Sequence, residues 1–119
     1  MIVVRDVFQL RFGMAREAIA LWQEGVGFIR AVPGVSDVRL LTDLAGPYYT
    51  LVLETGHQGL AGLDAEMRVS SQDPKWRAWY ARFTPLVDRG HRELFTVVGS
   101  DVPSVGASPE RSRAAVNPS

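Results

Sequence analysis

From Ile2 to Arg11 the side chains alternate in steps of two, the period of a strand. Ile2, Val4, Asp6, Phe8 and Leu10 fall on one side, and Val3, Arg5, Val7, Gln9 and Arg11 on the other, so each side carries a charge in mid-strand. Gly13 ends the run and the period changes. Between Met14 and about Val32, Ala15, Ala18, Ile19, Trp22, Val26 and Ile29 recur at helical spacing, with Arg16, Glu17, Gln23 and Arg30 largely off the stripe. Gly25 and Gly27 weaken this helix by up to about 1 kcal/mol each relative to Ala, and they fit either close packing or a bend.

Pro33-Gly34 stops the helix, and Val35 opens a second strand in which Val38, Leu40 and Thr42 alternate with Asp37, Arg39 and Asp43. Ala45-Gly46-Pro47 makes a turn into a third strand, Tyr48 to Thr55, and the two strands read as a hairpin. Tyr49, Leu51 and Leu53 share one face of it, and Tyr48, Thr50, Val52 and Glu54 the other. After Gly56, Leu60, Leu63 and Met67 mark a short helix. Asp73-Pro74 starts another, because Asp can cap a helix and Pro fits its first turn. Trp76, Trp79, Tyr80 and Phe83 follow at i, i+3, i+4 and i+7, so four rings share a face that must be buried. Glu93 to Gly99 alternates once more as a last strand.

Strand, helix, strand, strand, helix in two pieces, strand is the α+β ferredoxin-like βαββαβ layout, with a split second helix and a four-stranded antiparallel sheet. The helices cover one sheet face. The other carries Val3, Val7, Tyr48 and Val52, an apolar patch for which a second subunit is the simplest cover. One domain is expected over residues 1–99. Residues 100–119 hold five Ser, three Pro and three Val as the only sizeable apolar side chains, the composition of a flexible tail.

Charge adds little: thirteen basic residues balance thirteen acidic ones, which argues against nucleic acid and anionic membrane as partners. Cysteine is absent, so disulfides, thiolate nucleophiles and Cys-based metal sites are excluded. No apolar run approaches the roughly 20 residues that span a bilayer, and the first residues lack signal-peptide character, so a cytoplasmic location is expected.

The element order, the Pro33-Gly34-Val35 junction, the strand Gly46-Pro47-Tyr48-Tyr49-Thr50-Leu51-Val52-Leu53-Glu54 and the Trp-rich second helix resemble the dimeric α+β barrel superfamily. Its NIPSNAP-like and antibiotic-biosynthesis-monooxygenase-like small proteins are the nearest likeness, over about residues 1–99. The resemblance implies a homodimer whose sheets pack face to face into a barrel around a pocket. Members include cofactor-independent monooxygenases, haem-degrading enzymes, haem proteins and small isomerases, and fold does not select among them. The monooxygenase and haem-degrading members typically use Asn with Trp and often His. The only Asn here is Asn117, in the tail, so neither activity is carried over.

His57 and His91 each sit near a turn, where an exposed or capping role outweighs haem or metal ligation. No metal and no cofactor is expected. Ser70 and Ser71 read as linker or capping residues, and the aromatic stripe as core. In this fold the first strand is central. Its more apolar side, with Phe8 and Leu10, would meet the helices, which puts Arg5, Val7 and Gln9 inside the barrel with Tyr48 and Thr50. Arg5, Gln9, Tyr48 and Thr50 are therefore the candidate ligand-binding residues, Arg5 for a carboxylate or enolate oxygen and Tyr48 as a donor. The competing reading pairs Arg5 with Glu54 or an acid of a partner chain, fixing the dimer only. With the faces inverted, Asp6 becomes a candidate general base. Two functions stand open: a small-molecule-binding dimer using acid-base chemistry, and a non-catalytic ligand-binding or structural module.

Overall fold

The structure, a computed structural model, describes residues 1–101, so most of the expected tail at 100–119 lies outside the described residues. The elements are β1 (Ile2–Leu10), α1 (Ala15–Arg30), β2 (Val35–Thr42), β3 (Thr50–His57), α2 (Leu60–Gln72), α3 (Pro74–Phe83), a 3-10 turn (Thr84–Leu86) and β4 (Val87–Thr96). The strands form one sheet in the order β2-β3-β1-β4, antiparallel throughout. This is the α+β ferredoxin-like fold with its second helix split at Asp73.

Both later strands are displaced from expectation. β3 starts at Thr50 rather than Tyr48 and runs through Gly56 to His57, and β4 starts at Val87, six residues before the expected Glu93, and ends at Thr96 rather than Gly99. Continued pairing with β1 explains the early start of β4: Gln9 lies opposite Arg89 and Leu10 opposite Val87, and a bulge absorbs the extra residue. Gly90 is thus a strand residue rather than a turn. Its absent side chain admits the Phe8 ring, which would stand 3.1 Å from a Cβ.

Phe8, Leu10, Leu51 and Leu53 point to the helices and meet Trp22, Trp79 and Phe83 in one core. Asp73 caps α3 by accepting the Lys75 N–H at 2.9 Å, and Pro74 occupies its first turn. Trp76, Trp79 and Phe83 are then buried, whereas Tyr80, on the same stripe, stays 39% exposed at the edge. Trp79 donates its Nε1–H to the Leu21 carbonyl at 2.8 Å. Gly25 on α1 permits that ring to approach, since a Cβ there would lie 2.4 Å from it, so this glycine serves close packing.

α2 is rolled about its axis relative to the Leu60, Leu63 and Met67 stripe. Leu63 and Glu66 are buried while Leu60 and Met67 are exposed. Backbone contact sets the roll, because a Cβ on Gly34, at φ +93°, would lie 2.7 Å from the Gly62 Cα. Gly62 and Glu66 are four residues apart and share a helix face, so the contact of Gly62 with Gly34 also turns Glu66 inward.

Candidate functional site

The strand register lines up charges on both sheet faces. On the face away from the helices, Arg39, Glu54, Arg5 and Glu93 lie directly opposite one another across β2, β3, β1 and β4. Arg5 Nε donates to Glu54 Oε1 at 2.8 Å, and Arg39 Nη2 donates to Glu54 Oε2. Burial alone would raise the Glu54 carboxyl, but these hydrogen bonds outweigh it and hold the group below its ordinary range. Arg5 also lies over the Phe95 ring, 5.4 Å from its centre.

Gln9 and Thr50 are brought together on this face: Gln9 Nε2 donates to Thr50 Oγ1 at 3.1 Å and to the Tyr48 carbonyl. The Tyr48 side chain itself is 76% exposed. Its neighbour Tyr49 takes φ +59°, the left-handed region, with its ring edge-on to Phe12. Arg5 therefore makes the Glu54 pair named by the competing reading, while Gln9, Tyr48 and Thr50 cluster at the sheet end.

Asp6 lies on the helix side. It faces Arg92 of β4 across the register, and the two make a two-point ion pair, Nε to Oδ1 at 2.7 Å and Nη2 to Oδ2 at 3.2 Å. This hydrogen bond raises the Arg92 guanidinium further. The pair ends a cavity of about 620 Å³ between the two layers, walled by Phe8, Trp22, Trp76 and Tyr80 among others, with Glu66 beside the charges. The expectation from sequence points away from the helices, yet this cavity opens on their side of the sheet. The reason is local: apolar rings do not pack down over the charged Asp6 and Arg92 as they do over Leu51 and Leu53.

Behind Glu66 stands His57, 0% exposed. Its Nε2 is hydrogen-bonded to Thr55 Oγ1 at 2.8 Å and lies 3.2 Å from Glu66 Oε2. Burial pushes His57 down and Glu66 up, so both are drawn toward their neutral forms. The Glu66 approach is not aligned as a hydrogen bond, and Glu66 Oε2 and Trp22 Nε1, both shut off from solvent, have no hydrogen-bond partner within the protein, while the Gly62 backbone acts on the His57 ring.

Sequence reasoning missed this cluster. His57 looked like a turn residue, yet the alternation Leu51, Leu53, Thr55, His57 carries it to the helix face once β3 is extended. Glu66 lies three residues after Leu63, a spacing that signals burial. Arg92 gave no local signal. Among the described residues no group of three or more His, Cys, Asp or Glu is placed to hold a metal, and no helix is long and apolar enough to cross a membrane.

No protein-family model and no curated protein matches the chain. Solved structures do. A NIPSNAP domain protein from Burkholderia xenovorans aligns with a TM-score of 0.73 at 19% identity, over 82% of this chain and 95% of the other. A NIPSNAP family protein from Agrobacterium tumefaciens gives 0.71 at 18% identity, over 80% and 90%. SnoaB, a cofactor-independent oxygenase from Streptomyces nogalater, gives 0.68 at 14% identity, over 83% and 94%. The chain has the ferredoxin-like fold of the NIPSNAP and antibiotic-biosynthesis-monooxygenase-like proteins, the superfamily its sequence resembles.

Proposed function

We propose that the chain works as a homodimer that binds a planar, aromatic organic molecule with a polar oxygen at one end, and acts on it by acid-base chemistry without a bound cofactor. The observation that carries this reading is the cavity between the layers, ringed by Phe8, Trp22, Trp76 and Tyr80 and ended by Asp6, Arg92 and Glu66. A purely structural module would fill such a space with side chains. The dimer reading rests on the opposite face, where Leu41 and Phe95 stand exposed among Val3, Val7 and Val52.

A second reading places a ligand between the paired faces, against Arg5, Gln9, Tyr48 and Thr50. The Gln9 amide favours it, because its bonds to Tyr48 and Thr50 order a polar cluster there.

Tryptophan fluorescence separates the two, since Trp22 and Trp76 line the inner cavity and no Trp lies on the open sheet face. Titration with 2-naphthol is expected to quench emission saturably, and Arg92→Lys to weaken binding while Arg5→Lys does not. Binding lost only in Arg5→Lys would support the interface site instead. Light scattering is expected to give the mass of two chains, and a monomer at micromolar concentration would remove the dimer.

A further inference from the structure

The end of the sheet where β1 stops and β3 starts carries a separate cleft of about 430 Å³, which shares no lining residue with the cavity between the layers. Leu10, Ala15 and Ile19 give it an apolar lining, to which Phe12, Tyr48 and Tyr49 add three rings and Asp43 one carboxylate. Phe12 and Tyr48 are 80% and 76% exposed, so two of these rings stand in water rather than in a core. Apolar side chains scattered singly over a surface need no explanation, but three rings brought to one cleft do.

The backbone is bent to bring them there. Along a strand, Tyr48 and Tyr49 would point to opposite faces. Tyr49 takes φ +59°, a left-handed conformation that residues other than glycine seldom adopt, and both rings border the same cleft. Four hydrogen bonds hold the segment. The Leu10 N–H donates to the Tyr49 carbonyl at 2.8 Å, and Gln9 Nε2 to the Tyr48 carbonyl at 2.6 Å. Thr50 Oγ1 donates to the Pro47 carbonyl at 2.8 Å, and the Thr50 N–H to Asp43 Oδ1 at 3.0 Å, which also fixes the carboxylate. The Phe12 and Tyr49 ring centres are 5.1 Å apart with their planes at 69°, so the two form a corner rather than a stack. An unfavourable backbone held this firmly beside exposed rings is the mark of a binding site.

Among the described residues no cationic side chain pairs with Asp43, and Arg11 and Arg89 border an adjoining cleft with Asp88. The cleft therefore suits a cation. A bare ammonium group would need all three N–H groups bonded on leaving water, and one carboxylate does not supply that. A fully methylated ammonium has no N–H to satisfy. Its methyl groups pack on ring faces whose negative quadrupole attracts the charge, and Asp43 supplies the counter-charge.

We propose that this cleft binds a quaternary ammonium group of the choline type, with Phe12, Tyr48 and Tyr49 as the cage walls and Asp43 as the counter-ion. The site is independent of the reading given for the inner cavity. Its test titrates the full chain with choline chloride at an ionic strength held constant with sodium chloride, and saturation transfer to the choline methyl protons, read by NMR, reports binding. A parallel titration uses 3,3-dimethylbutanol, which has the shape of choline without its charge. Choline is expected to bind saturably, and the neutral compound at least about fivefold more weakly. Asp43→Asn keeps an acceptor for the Thr50 N–H, and Tyr48→Leu changes a mostly exposed side chain; each is expected to weaken choline by about fivefold. Sedimentation with phosphatidylcholine vesicles, reversed by choline, would assign the group to a lipid headgroup, and choline binding without sedimentation to a free solute. Failure of choline to saturate overturns the proposal, as does equal binding of the neutral compound or unchanged affinity in both variants. Should Asp43→Asn lose its fold by circular dichroism, Tyr48→Leu and the neutral compound decide.

Discussion

Gly25 and Gly27 are two residues apart on α1, and replacing each by Ala is expected to move stability in opposite directions. Intrinsic helix propensity favours both changes by about 1 kcal/mol. At Gly27 nothing lies within 4 Å of the new Cβ, so that gain stands. At Gly25 the Cβ would meet three Trp79 ring atoms at 2.4, 2.7 and 2.8 Å. Ordinary carbon contacts lie near 3.5–4.0 Å, so the ring must retreat by about 1 Å. It has nowhere to go: Trp22 lies edge-on with its centre 4.4 Å away, and Trp76 and Phe83 stack at 5.0 and 5.8 Å. Retreat also strains the 2.8 Å bond to the Leu21 carbonyl. Overpacking costs about 1–3 kcal/mol and a compromised buried hydrogen bond about 1 more. Against about 1 kcal/mol of helix gain, Gly25→Ala is expected to lose about 1–3 kcal/mol, and Gly27→Ala to gain up to about 1. Urea denaturation followed by circular dichroism, at one protein concentration because a dimer's stability depends on it, reads both. A Gly25→Ala protein as stable as wild type, or a Gly27→Ala protein equally damaged, would refute the packing argument.

Removing the α3 cap in Asp73→Ala should cost about 1 kcal/mol, lowering the melting temperature by about 4–8 °C; an unchanged melting temperature would show that the 2.9 Å bond to Lys75 N carries no weight. His57 has a folded pKa below its ordinary 6.5, so the unfolded chain takes up a proton that the folded one refuses, and stability should fall as pH drops below about 6.5. A urea midpoint series in His57→Asn should show a shallower acid slope than wild type, and an identical slope would exclude His57 as its source. Glu66 has the opposite sign: raised above 4.5 in the folded chain, it should cost stability as pH rises from there, so Glu66→Gln should gain on wild type between pH 5 and pH 8. Glu54, held low by Arg5 and Arg39, contributes stability above 4.5 that is lost as pH falls through its folded pKa, and Glu54→Gln should remove that part of the acid limb.

What was legible in the sequence was whatever periodicity encodes. The alternation in β1 and β3 and the spacing of Trp76, Trp79 and Phe83 each state a period and a buried face, and the fold follows from their order. Element ends were harder where glycine misleads. Gly56 and Gly90 read as turns because isolated glycine usually marks one, yet each lies in a strand where a neighbouring side chain crosses over it, Asp37 at one and Phe8 at the other.

The site was less legible because it is built from register. Asp6 announced itself as a charge on the apolar side of a central strand, but its partner Arg92 is 86 residues away and is opposite only because β4 pairs with β1 at this offset. The same holds for Glu66, which turns inward because two glycine backbones meet at Gly34 and Gly62. A charge pair on the helix side also explains why four rings on α3 do more than close a core. Trp79 and Phe83 bury against the apolar part of the sheet, while Trp76 and Tyr80, the other half of the same stripe, overhang the end where Asp6 and Arg92 sit. Leucines in those two places would still shield the core, but they would offer a bound molecule no flat wall. The aromatic excess on this helix is therefore better accounted for by the cavity than by packing alone.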